Sequence, residues 1–360
     1  EDQQPVLGET PEVRGLFVGA GFNAYGISAG GGFGMALAHW MAEGEPPHDL
    51  WASDIRRFSA VQRSDRAVTA RGLEGQGRHY KVHFPYEDVH AGRPLRRSPL
   101  YDRLRAKGAV FGEKSGWERA NWFAPEGVEP ADRPSFGTQI WRPHVAEEHK
   151  CARERAVLFD LSSFAKGLLV GRDAEPILQG LACCDMALRP GRIRHTLMLN
   201  RRGGIETDMT VARLSERQFY LVTGSAFATH DFGHIRRAIP TDADAELIDV
   251  TSGFGVLALM GPRSRDILRS VCEHDLGNAA FPFGTLQEVI VAGAPVRALR
   301  ITFVGELGWE LHVPSDYVAT VYDALVAAGA PHGMRDAGYR ALDGLRLEKA
   351  YKAWAADIGP

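Results

Sequence analysis

Residues Thr196 to Val211, reading TLMLNRRGGIETDMTV, constrain the fold more than any other stretch. An apolar run, an Asn-Arg-Arg-Gly-Gly break and an alternating run predict two antiparallel strands joined by a tight turn. Gly203 and Gly204 can take the positive φ that such a turn needs. Beyond the turn, Ile205, Thr207, Met209 and Val211 share one strand face, which leaves Glu206, Asp208 and Thr210 on the other. Two carboxylates therefore stand on one side of a strand. On pattern alone, a solvated face is the ordinary reading and a site the exception.

The rest of the composition narrows the options. At 360 residues the chain is long enough for two or three domains. Its 44% apolar and 24% charged content is that of a soluble globular protein. Its 42 basic against 45 acidic residues, net −3, indicate neither a nucleic-acid partner nor an acidic tail. No apolar run approaches the roughly 20 residues of a membrane span. The opening EDQQPVLGETPEVRG does not read as a signal peptide, and without an initiator Met it leaves a removed or missing segment open. Cys151, Cys183, Cys184 and Cys272 lack metal-ligand spacing, and a reducing, cytosol-like compartment fits them best. No metal site is expected.

Before the hairpin, RGLFVGAGFNAYGISAGGGFGMALAHWMAEGEPP predicts a strand (15–18), a glycine-rich loop (19–32) and a helix (33–42). Gly26, Gly30, Gly31 and Gly32 would let backbone approach a cofactor, with a helix N-terminus behind them for a phosphate. A flexible loop fits equally, because the third glycine of a dinucleotide fingerprint is missing after Gly19 and Gly21. Residues 79–86 suggest a short strand feeding an irregular loop. Ser98 and Pro99 predict a helix start, with Leu100, Leu104 and Ala106 on its buried side and Gly108 as its end. Glu113 to Trp122 form an aromatic and charged cluster that suits a domain interface or a substrate funnel. Residues 126–134 read as a linker.

From residue 135 onward, helices are predicted at 144–158, 174–182, 225–237, 264–271 and 317–328. Strands are predicted at 166–170, 218–222, 256–260, 287–291, 295–303 and 309–313. Strands and helices without a βαβ rhythm give an α+β fold rather than a doubly wound sheet.

Several motifs occur in a fixed order: GLFVGAGFNAYGISAGGGFGMALAHWMAEGEPP, FDLSSFAK, MLNRRGGIETD, LMGPRSR, TFVGELGWEL and GYRALDGLRLEKAYKAW. In this order the chain resembles the dimethylglycine and sarcosine dehydrogenase family over nearly its whole length. The resemblance implies three parts. Residues 1–58 would be the truncated end of a flavin-binding α/β domain, and 59–134 a small linking domain. Residues 135–360 would be a folate-binding, aminomethyltransferase-like α+β domain, itself cut short at its C-terminus. The cofactors implied are FAD, bound mostly by a region not in this chain, and tetrahydrofolate.

The resemblance also assigns residues. Asp208 falls at the family's catalytic aspartate and Glu310 at the carboxylate that anchors the pterin. Phe303 and His195 fall at two folate-site tyrosine positions, and each fits a core or loop role as well. Glu206 is left solvated or in support. Glu306 would be a turn residue, and Arg346 a structural one. Leu342 stands where aminomethyltransferases carry a folate-binding arginine, which favours the dehydrogenase branch. The implied reaction is FAD-dependent demethylation of an N-methyl amine, with the one-carbon unit passed to tetrahydrofolate. Electrons would leave to an electron-accepting protein or oxygen, without nucleic acid or membrane. The setting would be bacterial cytoplasm, or the mitochondrial matrix in a eukaryote. The alternatives are a stand-alone aminomethyltransferase, a non-catalytic folate-binding protein and an orphaned fragment.

Overall fold

A computed structural model describes residues 2–360. Strands β1 (Val6–Glu9) and β2 (Phe17–Ala20) pair antiparallel, and helix α1 (Gly26–Glu43) packs against them. Gly26, Gly30, Gly31 and Gly32 thus lie inside a helix, where a loop was predicted. Glycine disfavours helix by roughly 1 kcal/mol per residue. Here Phe33, Leu37 and Trp40, spaced at i, i+4 and i+7, set one face onto the hairpin, with Phe33 against Phe22 and Trp40 against Phe17. Packing overrides propensity.

Helix α2 (Asp65–Arg78) also escapes the sequence pattern, because Gly72, Gly75 and Gly77 dilute its periodicity; the Ser64 hydroxyl caps it by accepting from the Ala67 amide. Residues 79–83 form no strand. Helix α3 (Tyr101–Ala106) buries Leu100 and Leu104, whereas Ala106, at its last position, is exposed. The Ser98 hydroxyl accepts from the Leu100 amide and donates to Asp160. The aromatic cluster is a hairpin of β3 (Ala109–Lys114) and β4 (Trp117–Phe123). Trp122 is fully buried and donates to Asp132, while Arg93–Glu118 and Arg71–Glu113 pairs fasten the strands to their surroundings.

Next come α4 (Arg142–Glu154), β5 (Val157–Asp160), β6 (Ala165–Val170), α5 (Ala174–Leu181), β7 (Ile193–Leu199), β8 (Ile205–Ser215), β9 (Gln218–Thr223) and α6 (Ala228–Ala238). They are followed by β10 (Glu246–Asp249), β11 (Phe254–Met260), α7 (Ser264–Arg269), β12 (Leu286–Val291), β13 (Ala294–Leu299), β14 (Gly308–Pro314), α8 (Val318–Gly329), β15 (Arg335–Asp336) and α9 (Tyr339–Glu348). The predicted helix 144–158 splits, because Val157 to Phe159 are drawn into a sheet as β5. The strand predicted over 295–303 ends at Leu299.

Two sheets result. One has five antiparallel strands in the order β10-β6-β9-β8-β7. The other has six, ordered β12-β13-β14-β11-β5-β15, antiparallel apart from β15 against β5. One face of the five-stranded sheet buries Met209, Val211, Phe219 and Leu221 with Phe232 and Ile235 of α6. Its other face buries Ile193, Ala212, Tyr220 and Val222 with Leu286 and Leu299 of the six-stranded sheet. This inter-sheet layer positions the candidate site.

Candidate functional site

The hairpin forms as predicted, with Thr196 opposite Met209 and Leu197 opposite Asp208. Asn200 closes the turn: its Oδ1 accepts from the Arg202 and Gly204 amides at 3.0 and 2.8 Å. Of the two glycines, only Gly203 takes positive φ (84°). Gly204 is needed for space instead, since a Cβ there would meet the backbone of Pro360 at 2.4 Å.

The two carboxylates separate. Met198 pairs with Thr207 and Leu199 with Ile205, so Glu206 sits in a β-bulge with no partner across the ladder. Bulges re-aim side chains. Glu206 is buried, and its Oε2 lies 3.3 Å from Nε2 of His230 on α6. Of the two expectations for Glu206, solvated or in support, burial rules out the first. Burial pushes its carboxyl up, but the hydrogen bond and charge of His230, with Arg56 and Asn200, outweigh this and bring it down to about 2.

Asp208 shares a strand face with Ala212, which lies in the inter-sheet layer. Its carboxylate is only 15% exposed and binds Nε2 of His195, whose ring is 67% exposed. The hydrogen bond that His195 donates to Asp208 raises the imidazole above its ordinary value, against its partial burial.

Glu310 approaches the same layer from the other sheet. It is buried on β14, on the face it shares with His312. His312 Nδ1 and the Tyr220 hydroxyl of β9 share a 3.0 Å hydrogen bond that joins the two sheets. Burial lowers the His312 imidazole below the ordinary histidine value, against the opposing pull of Glu310. Its Nε2 lies 3.6 Å from Glu310 Oε2, beyond a direct hydrogen bond, and has no other partner. Among the described residues no hydrogen bond or ion pair joins Asp208 to Glu310.

Phe303 is half-buried at the edge of the cluster that holds Leu342 and Leu345 of α9, and its ring stacks on Tyr351. Arg346 holds Asp343 and Asp357 at 2.7 and 2.6 Å, fastening α9 to the C-terminal tail. Glu306 pairs with Arg153 at 2.7 Å. His230, Asp231, Tyr220 and His312 gave no sequence signal, because each gains its role from a strand or helix remote in the chain. His230 and His234 are one turn apart on α6, yet among the described residues no three His, Cys, Asp or Glu side chains gather as a metal-binding group. No helix is long and apolar enough to cross a membrane, again among the described residues.

Residues 100–360 match the GCVT N-terminal domain, and residues 43–98 match the FAD dependent oxidoreductase central domain. The chain belongs to the GCVT N-terminal domain family, in the dimethylglycine and sarcosine dehydrogenase branch that joins this fold to a flavin-dependent part. It is 40% identical over its whole length to mitochondrial sarcosine dehydrogenase of Homo sapiens, and 41% to 4-methylaminobutanoate oxidase (formaldehyde-forming) of Paenarthrobacter nicotinovorans. Over 99% of the chain it is 36% identical to mitochondrial dimethylglycine dehydrogenase of Mus musculus. The chain spans 43% of the length of the first two relatives and 41% of the third. Among solved structures, glycine cleavage system aminomethyltransferase T from Bartonella henselae superposes with a TM-score of 0.60 and 26% identity, covering 73% of this chain and 65% of that one.

Proposed function

We propose that this chain is the folate-handling portion of an FAD-dependent enzyme that demethylates a sarcosine- or dimethylglycine-like N-methyl amine and delivers the one-carbon unit to tetrahydrofolate. The observation that carries the reading is the Asp208–His195 pair, which holds the Asp208 carboxylate facing the inter-sheet layer that Glu310 enters from the opposite sheet. When bound, flavin supplies hydride acceptance, and tetrahydrofolate supplies the nitrogens that take up the one-carbon unit.

Asp208 is the general base, accepting the proton released at a nitrogen, and its negative charge favours a cationic one-carbon donor beforehand. His195 orients it. Glu310 anchors a pterin by a two-oxygen fork, and the unpartnered His312 Nε2 beside it leaves polar capacity for the same ring. Phe303 supplies an apolar wall. Gly30, Gly31 and Gly32 have their amides within α1, so their part in flavin binding is a bare helix surface, where an added Cβ would meet nothing within 4 Å. Gly26, in the first turn, is the one of the four placed to donate an amide. Electrons pass to a protein acceptor or oxygen, and the setting is bacterial cytoplasm or mitochondrial matrix. Water replaces folate as the acceptor when none is bound, giving formaldehyde.

A stand-alone aminomethyltransferase fits less well, because Leu342 is buried in an apolar cluster and residues 43–98 match a flavin-oxidoreductase domain. Calorimetric titration of the purified chain with tetrahydrofolate tests the proposal. Glu310→Ala should weaken binding about tenfold or more, as loss of a charged hydrogen-bonding partner does. Wild-type protein that is folded yet binds no folate would overturn the reading.

A further inference from the structure

Glu206, His230 and Asp231 take no part in the chemistry above, yet all three are ionisable and buried. Burying charges costs several kcal/mol per ion before pairing, so a cluster of this kind is a poor device for stability alone. Its contacts point elsewhere. His230 stands between the two carboxylates, with Nε2 3.3 Å from Glu206 and Nδ1 2.9 Å from Asp231. Asp231 accepts in turn from the Thr223 hydroxyl, which lies 3.4 Å from the backbone carbonyl oxygen of Asp208. At the other end, Arg56 holds Asp54 in a buried fork and its charge acts on Glu206.

The same cluster is where three distant segments meet. The Trp51 ring lies 5.3 Å from His230 and 4.8 Å from Trp354. The Trp354 indole donates to the Ile205 carbonyl, and the Ile205 amide donates to Gly359. The flavin-side segment, the hairpin and the C-terminal tail thus converge on one imidazole, one pleat from Asp208.

We infer that Glu206, His230 and Asp231 form a positioning relay, through which docking of the Trp51–Arg56 segment holds the Asp208 strand so that the carboxylate meets His195. The inference rests on Asp208 being the working carboxylate. It makes the folate-side base dependent on contacts from the flavin-side segment, and none of the three residues needs to touch a ligand.

His195 reports on the relay without any ligand, because Asp208 is the charged group that sets its titration. Imidazole NMR titration of the purified chain reads it directly. Asp208→Asn, the reference, should bring His195 down toward an ordinary histidine. Glu206→Gln and Asp231→Asn should lower it by about half a unit. Loss of charge can also act at a distance, so two charge-neutral variants decide. Thr223→Val cuts the step to Asp208, and Trp51→Ala loosens the docking end. Both should lower His195 by about 0.3 unit or more. If both stay folded and leave His195 within about 0.1 unit of wild type, the relay is overturned, whatever the charge variants do. If one fails to fold, the other alone decides. If Asp208→Asn itself leaves His195 unmoved, the Asp208–His195 pair falls instead, a separate failure that removes the catalytic reading.

Discussion

Glu206 and Asp208 are two residues apart on one strand, and the fold treats them oppositely. Asp208 follows the pleat into the layer between the sheets and pairs with a largely exposed histidine. Glu206 falls in a bulge, turns toward α6 and pairs with a histidine that is 2% exposed. The same residue class thus gives a carboxylate at the inter-sheet layer in one place and a buried ion pair in the other. Burial of the partner, more than of the carboxylate, marks the difference. An exposed imidazole can exchange protons and move aside, whereas a buried one is committed to its ion pair.

The largest effect that would break this comparison is on stability. His230→Ala leaves Glu206 and Asp231 buried without the imidazole that lies between them and should cost about 3–5 kcal/mol in urea unfolding at neutral pH. A loss below about 1 kcal/mol would show that Glu206 is not held as an ion pair. Asp208→Ala should do the reverse. Transfer to folate should fall about 100-fold or more in single-turnover assays, while stability stays within about 0.5 kcal/mol of wild type.

A pH series sharpens the contrast. Glu206 is lowered on folding from 4.5 to about 2, so its contribution is complete above about 4.5 and is lost as pH falls toward 2. His230 is pushed down by burial and by Arg56, but Asp231 and Glu206 more than offset this and raise it above 6.5. Its contribution is therefore complete below 6.5 and lost as pH rises through that raised value. The stability gap between wild type and Glu206→Gln should be widest, on the order of 2 kcal/mol, between pH 4.5 and the raised His230 value. It should close on either side, and a gap independent of pH would argue against the pair. His195→Gln should have the smallest effect, about tenfold or less on folate transfer with no measurable change in melting temperature. A larger loss would mean that His195 moves the proton itself.

Much of the fold was legible where periodicity is local. The hairpin, the strands at 166–170, 218–222 and 256–260 and the helix α8 match their predicted positions closely. The failures share a cause. Helices α1 and α2 carry glycines that hide them, and α1 is held by Phe33, Leu37 and Trp40 packing on a hairpin earlier in the chain. Residues Val157 and Leu158 read as the end of a helix until β11 pairs with them. Ordered motifs nominate Asp208, Glu310, His195 and Phe303 as candidates, whereas nothing in the sequence singles out His230, Asp231 and His312. Their partners lie 24, 8 and 92 residues away in Glu206, Thr223 and Tyr220.

By itself, the sequence determined the antiparallel hairpin, the inward face of Met209 and Val211 and the family, because side-chain alternation and motif order are local or linear properties. Only the tertiary structure decided which acidic residue is buried. A bulge of one residue at Glu206 reverses its direction, and that direction is stable because α6 brings His230 to receive the charge. Counter-charge supplied from elsewhere in the chain, not strand pattern, sets the two carboxylates apart.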